Sequence, residues 1–385
     1  MTVSQIDSCD VAVVGAGIVG LACALEAADR GLDVVVCERD DRARGATVRN
    51  FGHGFVTAQD GEAFAAGLVS ARRWTELAAR AGFWAQATGT VLVARHSDEM
   101  AVCEELAAEP AREVSVLTRA ALLARVPVDS GRVVGGLWCP LDVRVDQRAA
   151  PSALAALLER EHGARLRFAT AVHAVEGTTL RTSHGRIGAH HVVVCPGPDL
   201  DALFGDVFAD AGVGLVRLQM QRVADPGGPR IGPALVTGLS MLRYAAFAGC
   251  PSIGTVRARL EHERAELLDA GIHLIVTQRP DGTLTVGDTH DYARCPPPFS
   301  DERLDELVRI EAEELLGTPL RVIERWSGVY PHAPGRDFLI AAPQAGVRVV
   351  AVTSGIGMTT ALGLAPRVLD DLLSSTDPIT EETRP

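Results

Sequence analysis

The stretch Asp10-Val-Ala-Val-Val-Gly15-Ala-Gly17-Ile-Val-Gly20 decides the fold of this chain. The four apolar residues after Asp10 predict a buried parallel strand, the glycines a tight turn, and residues 21–30 the helix that crosses back. Gly15 makes the turn, Gly17 lets backbone N–H groups approach a pyrophosphate, and Gly20 permits close packing of helix on strand. Ala16, Ile18 and Val19 complete the loop, and the helix start offers free N–H groups and the positive end of its dipole to a phosphate. A second apolar run, Asp33-Val-Val-Val-Cys-Glu38-Arg39, closes a βαβ unit and ends in a carboxylate placed to accept hydrogen bonds from a ribose. A 2′-phosphate would meet that carboxylate, so NADP is disfavoured. The fingerprint alone does not choose between NAD and FAD.

The 385 residues suffice for one large core or two domains, and 47% hydrophobic against 22% charged residues is the balance of a soluble globular protein. No apolar run approaches the roughly 20 residues of a membrane span, and no basic segment followed by a long apolar stretch opens the chain. The cytoplasm is the expected location. A net charge of −12 argues against a nucleic-acid partner, since phosphate binding needs a basic face. The eight cysteines form no CxxC pair, and the neighbours His190 and His191 point to opposite faces of a strand, so no metal site is expected.

After the βαβ unit, periodicity predicts helices over 62–81, 98–108, 119–125, 147–162, 256–269 and 301–316. Strands are predicted over 89–95, 135–145, 165–168, 171–176, 191–195, 215–223, 282–288, 321–330 and 347–352, with a hairpin over 178–186. The last strand leads into Gly355-Ile-Gly357-Met-Thr359 and a closing helix, a second place where backbone N–H groups approach a ligand.

Taken together, these residues resemble the FAD-dependent amine oxidase superfamily of D-amino acid oxidase, glycine oxidase and sarcosine oxidase. The resemblance rests on the glycine fingerprint with Glu38, the loop Arg44-Gly-Ala-Thr47, the strand and turn Val192-Val-Val-Cys-Pro196-Gly197, the Gly287-Asp288 strand and the Gly355-Ile-Gly357 helix start. It covers nearly the whole chain. More narrowly, Arg49-Asn50-Phe51-Gly52-His53 and Leu242-Arg-Tyr244 are similar to a bacterial subgroup linked to aminoalkylphosphonate metabolism.

The resemblance implies an α/β fold: a Rossmann-like FAD-binding domain (residues 1–85, 145–214 and 320–385) with a discontinuous α+β substrate domain (86–144 and 215–319) on a mixed or antiparallel sheet. It implies that Gly45, Ala46 and Thr47 line the pyrophosphate and ribityl chain, that Val172 meets the adenine edge, and that Gly355, Ile356, Gly357, Met358 and Thr359 cap the flavin. Arg39, Arg44, Asn50, Phe51, Gly52, Pro196 and Gly197 join the same cofactor surface. Sarcosine oxidases tether their flavin through a cysteine where this chain has Gly328, so a noncovalent FAD is expected. D-Amino acid and glycine oxidases clamp the substrate carboxylate with an arginine before a proline. This chain has Tyr330-Pro331 there, which removes that fork.

The expected reaction is oxidation of a small zwitterionic primary or secondary amine by hydride transfer to flavin, with O2 reduced to hydrogen peroxide. A dehydrogenase passing electrons to a quinone or carrier, and a nucleotide-binding protein without redox chemistry, are the alternatives. Arg243 is the first candidate for the substrate's anionic group, with Tyr244, Arg49 and His332 beside it and Tyr330 on the catalytic side. His53, in the loop expected to pass the flavin ring, is the candidate to hydrogen-bond it or take a proton, given an ordinary histidine pKa near neutrality. The oligomeric state is not legible.

Overall fold

The computed structural model describes residues 7–374. Five parallel strands run in the spatial order Arg165–Arg167, Val34–Cys37, Asp7–Val14, Gly185–Val194 and Val347–Val352. Phe338–Ala341 adds an antiparallel edge, and the hairpin of Val172–Glu176 and Thr179–Thr182 pairs with the first half of Gly185–Val194. Val34–Cys37 and the ends of the strands beside it, at 11–14 and 192–194, read as unbroken apolar runs because both faces are covered. Val11, Val13, Val34, Val36 and Val193 enter the core beneath helices Ile18–Asp29, Gly61–Ala81, Ala150–His162 and Gly357–Ser374. Ala12, Val35, Val192 and Val194 alternate to the opposite core with Leu180, Phe208 and Val349.

A nine-stranded second sheet runs Asp291–Ala293, Gly214–Val223, Leu284–Gly287, Ile275–Gln278, Ala234–Thr237, Thr90–Ala94, Gly135–Cys139 and Ser115–Thr118, with Val322–His332 along the other side of Gly214–Val223. It is antiparallel except where Ala234–Thr237 meets Thr90–Ala94. The strand Val322–His332, inside the expected third cofactor segment, therefore completes the second sheet. A small sheet of His53–Gly54, Val143–Val145 and Ala85–Gln86 lies between the two.

Three further expectations change. The helix expected over 256–269 is two, Ile253–Glu263 and Ala265–Asp269, broken where Arg264 leaves helical geometry. The strand expected over 135–145 is two, separated by a turn. The helix expected from 147 begins at Ala150, because the Asp146 carboxylate accepts from the amides of Arg148 and Ala149 and holds those residues in the entering turn. No helix among the described residues is long and apolar enough to cross a membrane.

Candidate active site

A cavity of about 870 Å3 begins at the carboxyl ends of the parallel strands and continues to the second sheet. That is where an open α/β sheet binds its ligand. At the first end the wall is backbone. Gly15 has φ near 100°, and a Cβ there would lie 2.4 Å from the Cys195 carbonyl oxygen; a Cβ at Gly20 would lie 1.9 Å from the Gly15 oxygen. Neither position admits a side chain, so the turn and the helix pack at closest approach. Gly17, Ile18, Val19 and Gly20 line the cavity beside it.

Glu38 locks this turn. Its carboxylate accepts from the amides of Ala16 (2.8 Å) and Asp40 (3.1 Å), and it lines the cavity with acceptor capacity left for a ribose. Ala16 spends its N–H there and stays out of the wall. Thr47 ties the next loop to the helix start by accepting from the Ile18 amide at 2.9 Å. Asn50 cross-braces that loop, donating to the carbonyls of Ala46 (3.1 Å) and Thr47 (2.9 Å) and accepting from Gly52 (2.7 Å). Gly52 itself sits behind the wall, against the Val145 carbonyl.

Arg39, Arg44, Gly45, Ala46, Val172, Pro196 and Gly197 line the same end, whereas Phe51 lines the cavity from the second sheet, packed on Val216, Leu218 and Met220. A Cβ at Gly45 or Gly197 would meet no atom within 4 Å, so bare backbone faces open space along the cavity. Backbone at a helix N-terminus for a diphosphate, a carboxylate for a ribose and a continuous cavity beyond them fit FAD.

At the second end the wall is side chains. Gly355, Ile356, Gly357, Met358 and Thr359 border it from the first domain, and Arg49, Gly328, Tyr330, Arg243, Tyr244, His53 and Phe55 close it. Arg243 donates from Nη2 to the Ser354 carbonyl (3.1 Å) and forms no ion pair among the described residues. Burial works against its charge, but Tyr330, Tyr244 and Tyr292 outweigh that and raise its pKa. Tyr244 packs edge-on against Phe55 and His273, with ring centroids 5.1 and 5.6 Å apart. Arg49 lines the cavity but spends a donor on the Ser327 carbonyl at 3.1 Å.

Two expectations for histidines are corrected. His53 is enclosed, stacked on Phe55, and burial together with the Arg144 charge pushes its pKa down to about 3. Its Nε2 is bonded to the Thr90 hydroxyl at 2.8 Å and its buried Nδ1 has no partner, so near neutral pH it is an uncharged ring and only a weak base. His332 lies outside the cavity wall, its ring 4.6 Å from that of Tyr292.

Beside Arg243 lies a buried cluster, His273, Asp288 and His290, of which sequence reasoning missed His273 and the way the three meet. His273 Nε2 sits 3.0 Å from Asp288 Oδ1, and the two histidines hold that carboxyl below its usual range although burial opposes this. His290 bonds the Gly271 carbonyl through Nδ1 (3.0 Å) and the Tyr330 hydroxyl through Nε2 (3.2 Å). The ligand atoms of these three residues lie within 4.8 Å of one another, but the bond to Gly271 requires a proton on His290 Nδ1, so that nitrogen is not free for a cation. His273 was missed because the strand it leads into, Ile275–Gln278, was missed. The signal was Gly271 followed by Ile-His-Leu-Ile-Val, a short apolar run with one polar residue.

No curated protein sequence matches the chain. Among solved structures it is similar to L-proline dehydrogenase from P. horikoshii, with 20% identity, a TM-score of 0.77 and coverage of 98% of this chain and 96% of that one. It is also similar to glycine oxidase from Geobacillus kaustophilus, with 19% identity, a TM-score of 0.71 and coverage of 97% and 96%. L-Amino acid deaminase from Proteus vulgaris, lacking its specific insertion, gives 19% identity, a TM-score of 0.75 and coverage of 98% and 93%. At these identities the likeness shows the fold. The family of FAD-dependent oxidoreductases designated DAO matches residues 10–370, so a chain whose cavity is shaped for that dinucleotide belongs to that family and is an FAD-dependent enzyme.

Proposed function

We propose that the protein oxidises a small zwitterionic primary or secondary amine, with an aminoalkylphosphonate or its N-methyl form as the favoured class. The observation that carries this reading is Arg243, a guanidinium in the cavity wall with no carboxylate partner. The buried Asp288 carboxylate acts on this charge only at a distance, and an anionic ligand supplies the direct partner it lacks. The flanking phenol of Tyr244 adds a polar contact suited to a tetrahedral or planar anion. Both segments that resemble the phosphonate-linked subgroup, at 49–53 and 242–244, contribute to this wall.

FAD supplies the electron acceptor when bound. The chain's own residues bind and orient: Arg243 takes the anionic group, while Phe55, Leu218 and Ile275 keep bulk water from the reacting carbon. That carbon gives up a hydride and its nitrogen a proton; water hydrolyses the resulting imine to an aldehyde, releasing ammonia from a primary amine or the free amine from a secondary one. O2 takes up the electron pair and two protons as hydrogen peroxide. The flavin is held noncovalently, because Gly328 offers no thiol. Cys195, which does line the cavity, has its pKa raised well above the usual range by the neighbouring Cys23 thiol and by burial.

The similarity to a proline dehydrogenase favours one second reading, in which a carrier replaces O2. Peroxide release in air decides between them. Anaerobic bleaching of the flavin band by a panel of aminophosphonates, N-methyl amines and amino acids tests the substrate class; preferred bleaching by glycine or a D-amino acid would contradict it.

A further inference from the structure

The hydrogen bonds behind Tyr330 have a direction that chemistry fixes. A backbone carbonyl can only accept, so the 3.0 Å bond between His290 Nδ1 and the Gly271 oxygen places a proton on Nδ1. The ring is fully enclosed, and its charged form is opposed first by burial and then by the nearby His273 and Arg243. Asp288, whose Oδ1 lies 4.0 Å from Nδ1, favours the charge but is outweighed. A neutral ring with its proton on Nδ1 has only a lone pair on Nε2, so across the 3.2 Å contact the Tyr330 hydroxyl is the donor.

The remaining neighbours agree with that polarity. Arg243 faces the same hydroxyl and carries only donors, so it too needs the Tyr330 oxygen as an acceptor. A Cβ at Gly355 would lie 2.6 Å from this oxygen, so the cavity loop passes it with nothing but backbone between. Tyr292 stacks on His290 at 6.0 Å between centroids.

We propose that His290 is a positioning residue that turns the Tyr330 proton away from the cavity, so that Tyr330 meets the substrate as an acceptor for its amine while Arg243 meets it as the donor to its anionic group. Resting on the amine-oxidising reading of this site, the proposal names a polarity within it. A phenol free to rotate would serve an amine or a carboxylate equally. Held by His290, it rejects the carboxylate and sorts the two ends of a zwitterion.

Nitrogen-15 spectra of histidine-labelled holoenzyme test this without turnover, with His290→Gln identifying the resonances. The expected result is a protonated Nδ1 and a bare Nε2 on His290 throughout about pH 5 to 8; a protonated Nε2 would overturn the proposal. The consequence is read by perturbation of the flavin spectrum with two unreactive isosteres, α-aminoisobutyrate, whose amine carbon bears no hydrogen, and pivalate, in which a methyl replaces the amine. Wild type should prefer the amine-bearing ligand by about tenfold, and both Tyr330→Phe and His290→Gln should lose most of that preference. An unchanged preference in Tyr330→Phe overturns the proposal. Binding of neither ligand, together with no bleaching by any amine, contradicts the amine-oxidase reading instead, and the ring tautomer still decides the role of His290.

Discussion

The two ends of the cavity are built from different materials. At the nucleotide end, Gly15, Gly20, Gly45 and Gly197 bring backbone to the wall, and the one recognisable side chain, Glu38, is itself held by backbone amides. At the substrate end, Arg243, Tyr244, His273, His290 and Tyr330 come from four separate segments and meet only in the folded molecule. A backbone cradle serves one ligand and tolerates no side chain; a wall of side chains can be exchanged residue by residue. On the function proposed here, the first end fixes the cofactor and the second is where substrate choice resides.

If that division is right, the largest effect comes from intruding on the backbone wall. Gly20→Val drives a Cβ toward the Gly15 oxygen, and the purified protein is expected to be colourless, or to fail to accumulate, where wild type is yellow. A yellow, stable variant would break the comparison. Arg243→Ala acts at the other end. Losing one charge-assisted partner, worth about 1.5–3 kcal/mol, should raise the substrate concentration for half-maximal flavin reduction roughly 10- to 100-fold. The flavin content should not change.

Asp142 sharpens the comparison from behind both ends, since it is buried under the Thr57 amide (2.9 Å) that leads out of the Phe55 wall. Burial raises its pKa from 3.8 to about 7 against the Thr57 and Thr90 hydrogen bonds that lower it. A raised folded pKa means that stability is intact below the unfolded value and is lost as pH climbs through the folded one. Asp142→Asn keeps an acceptor for Thr57 and removes the ionisation, so its thermal midpoint should exceed wild type by several degrees above about pH 7 and converge with it near pH 4. A constant difference across that range would contradict the raised pKa. Arg39→Ala is the smallest change. Its ion pairs with Asp199 and Asp40 are exposed, and exposed pairs are worth about 0–1 kcal/mol, so FAD affinity should fall by less than about fivefold.

The same contrast explains what could be read before folding. Residues 10–20 encode their own turn, because the constraint on Gly15 and Gly20 is local backbone geometry and leaves a fixed spacing. The closing strand Val347–Val352 and helix 119–125 are legible for the same reason, each being a single apolar or periodic run. The strands Ala234–Thr237 and Ile275–Gln278 were not, since four buried residues carry no period that separates strand from helix. With Ile275–Gln278 went His273, and with it the cluster around Asp288. Arg243 and Tyr330 were legible as candidates by residue type, but the polarity His290 gives Tyr330 depends on the Gly271 carbonyl 19 residues away. His53 shows the converse: its loop was placed in the wall, but its chemistry was misread, because burial and Arg144 set its pKa and neither is visible from its neighbours in sequence.

Anaerobic titration of the purified holoenzyme, wild type beside Arg243→Ala, tests the central claim most directly: a backbone cradle holds FAD and an unpaired arginine selects a zwitterionic amine. The account predicts that an aminoalkylphosphonate or its N-methyl form bleaches the wild-type flavin, and that the variant, equally yellow, needs roughly 10- to 100-fold more. Equal half-bleaching concentrations in the two proteins, or fastest bleaching by glycine or a D-amino acid, would contradict it.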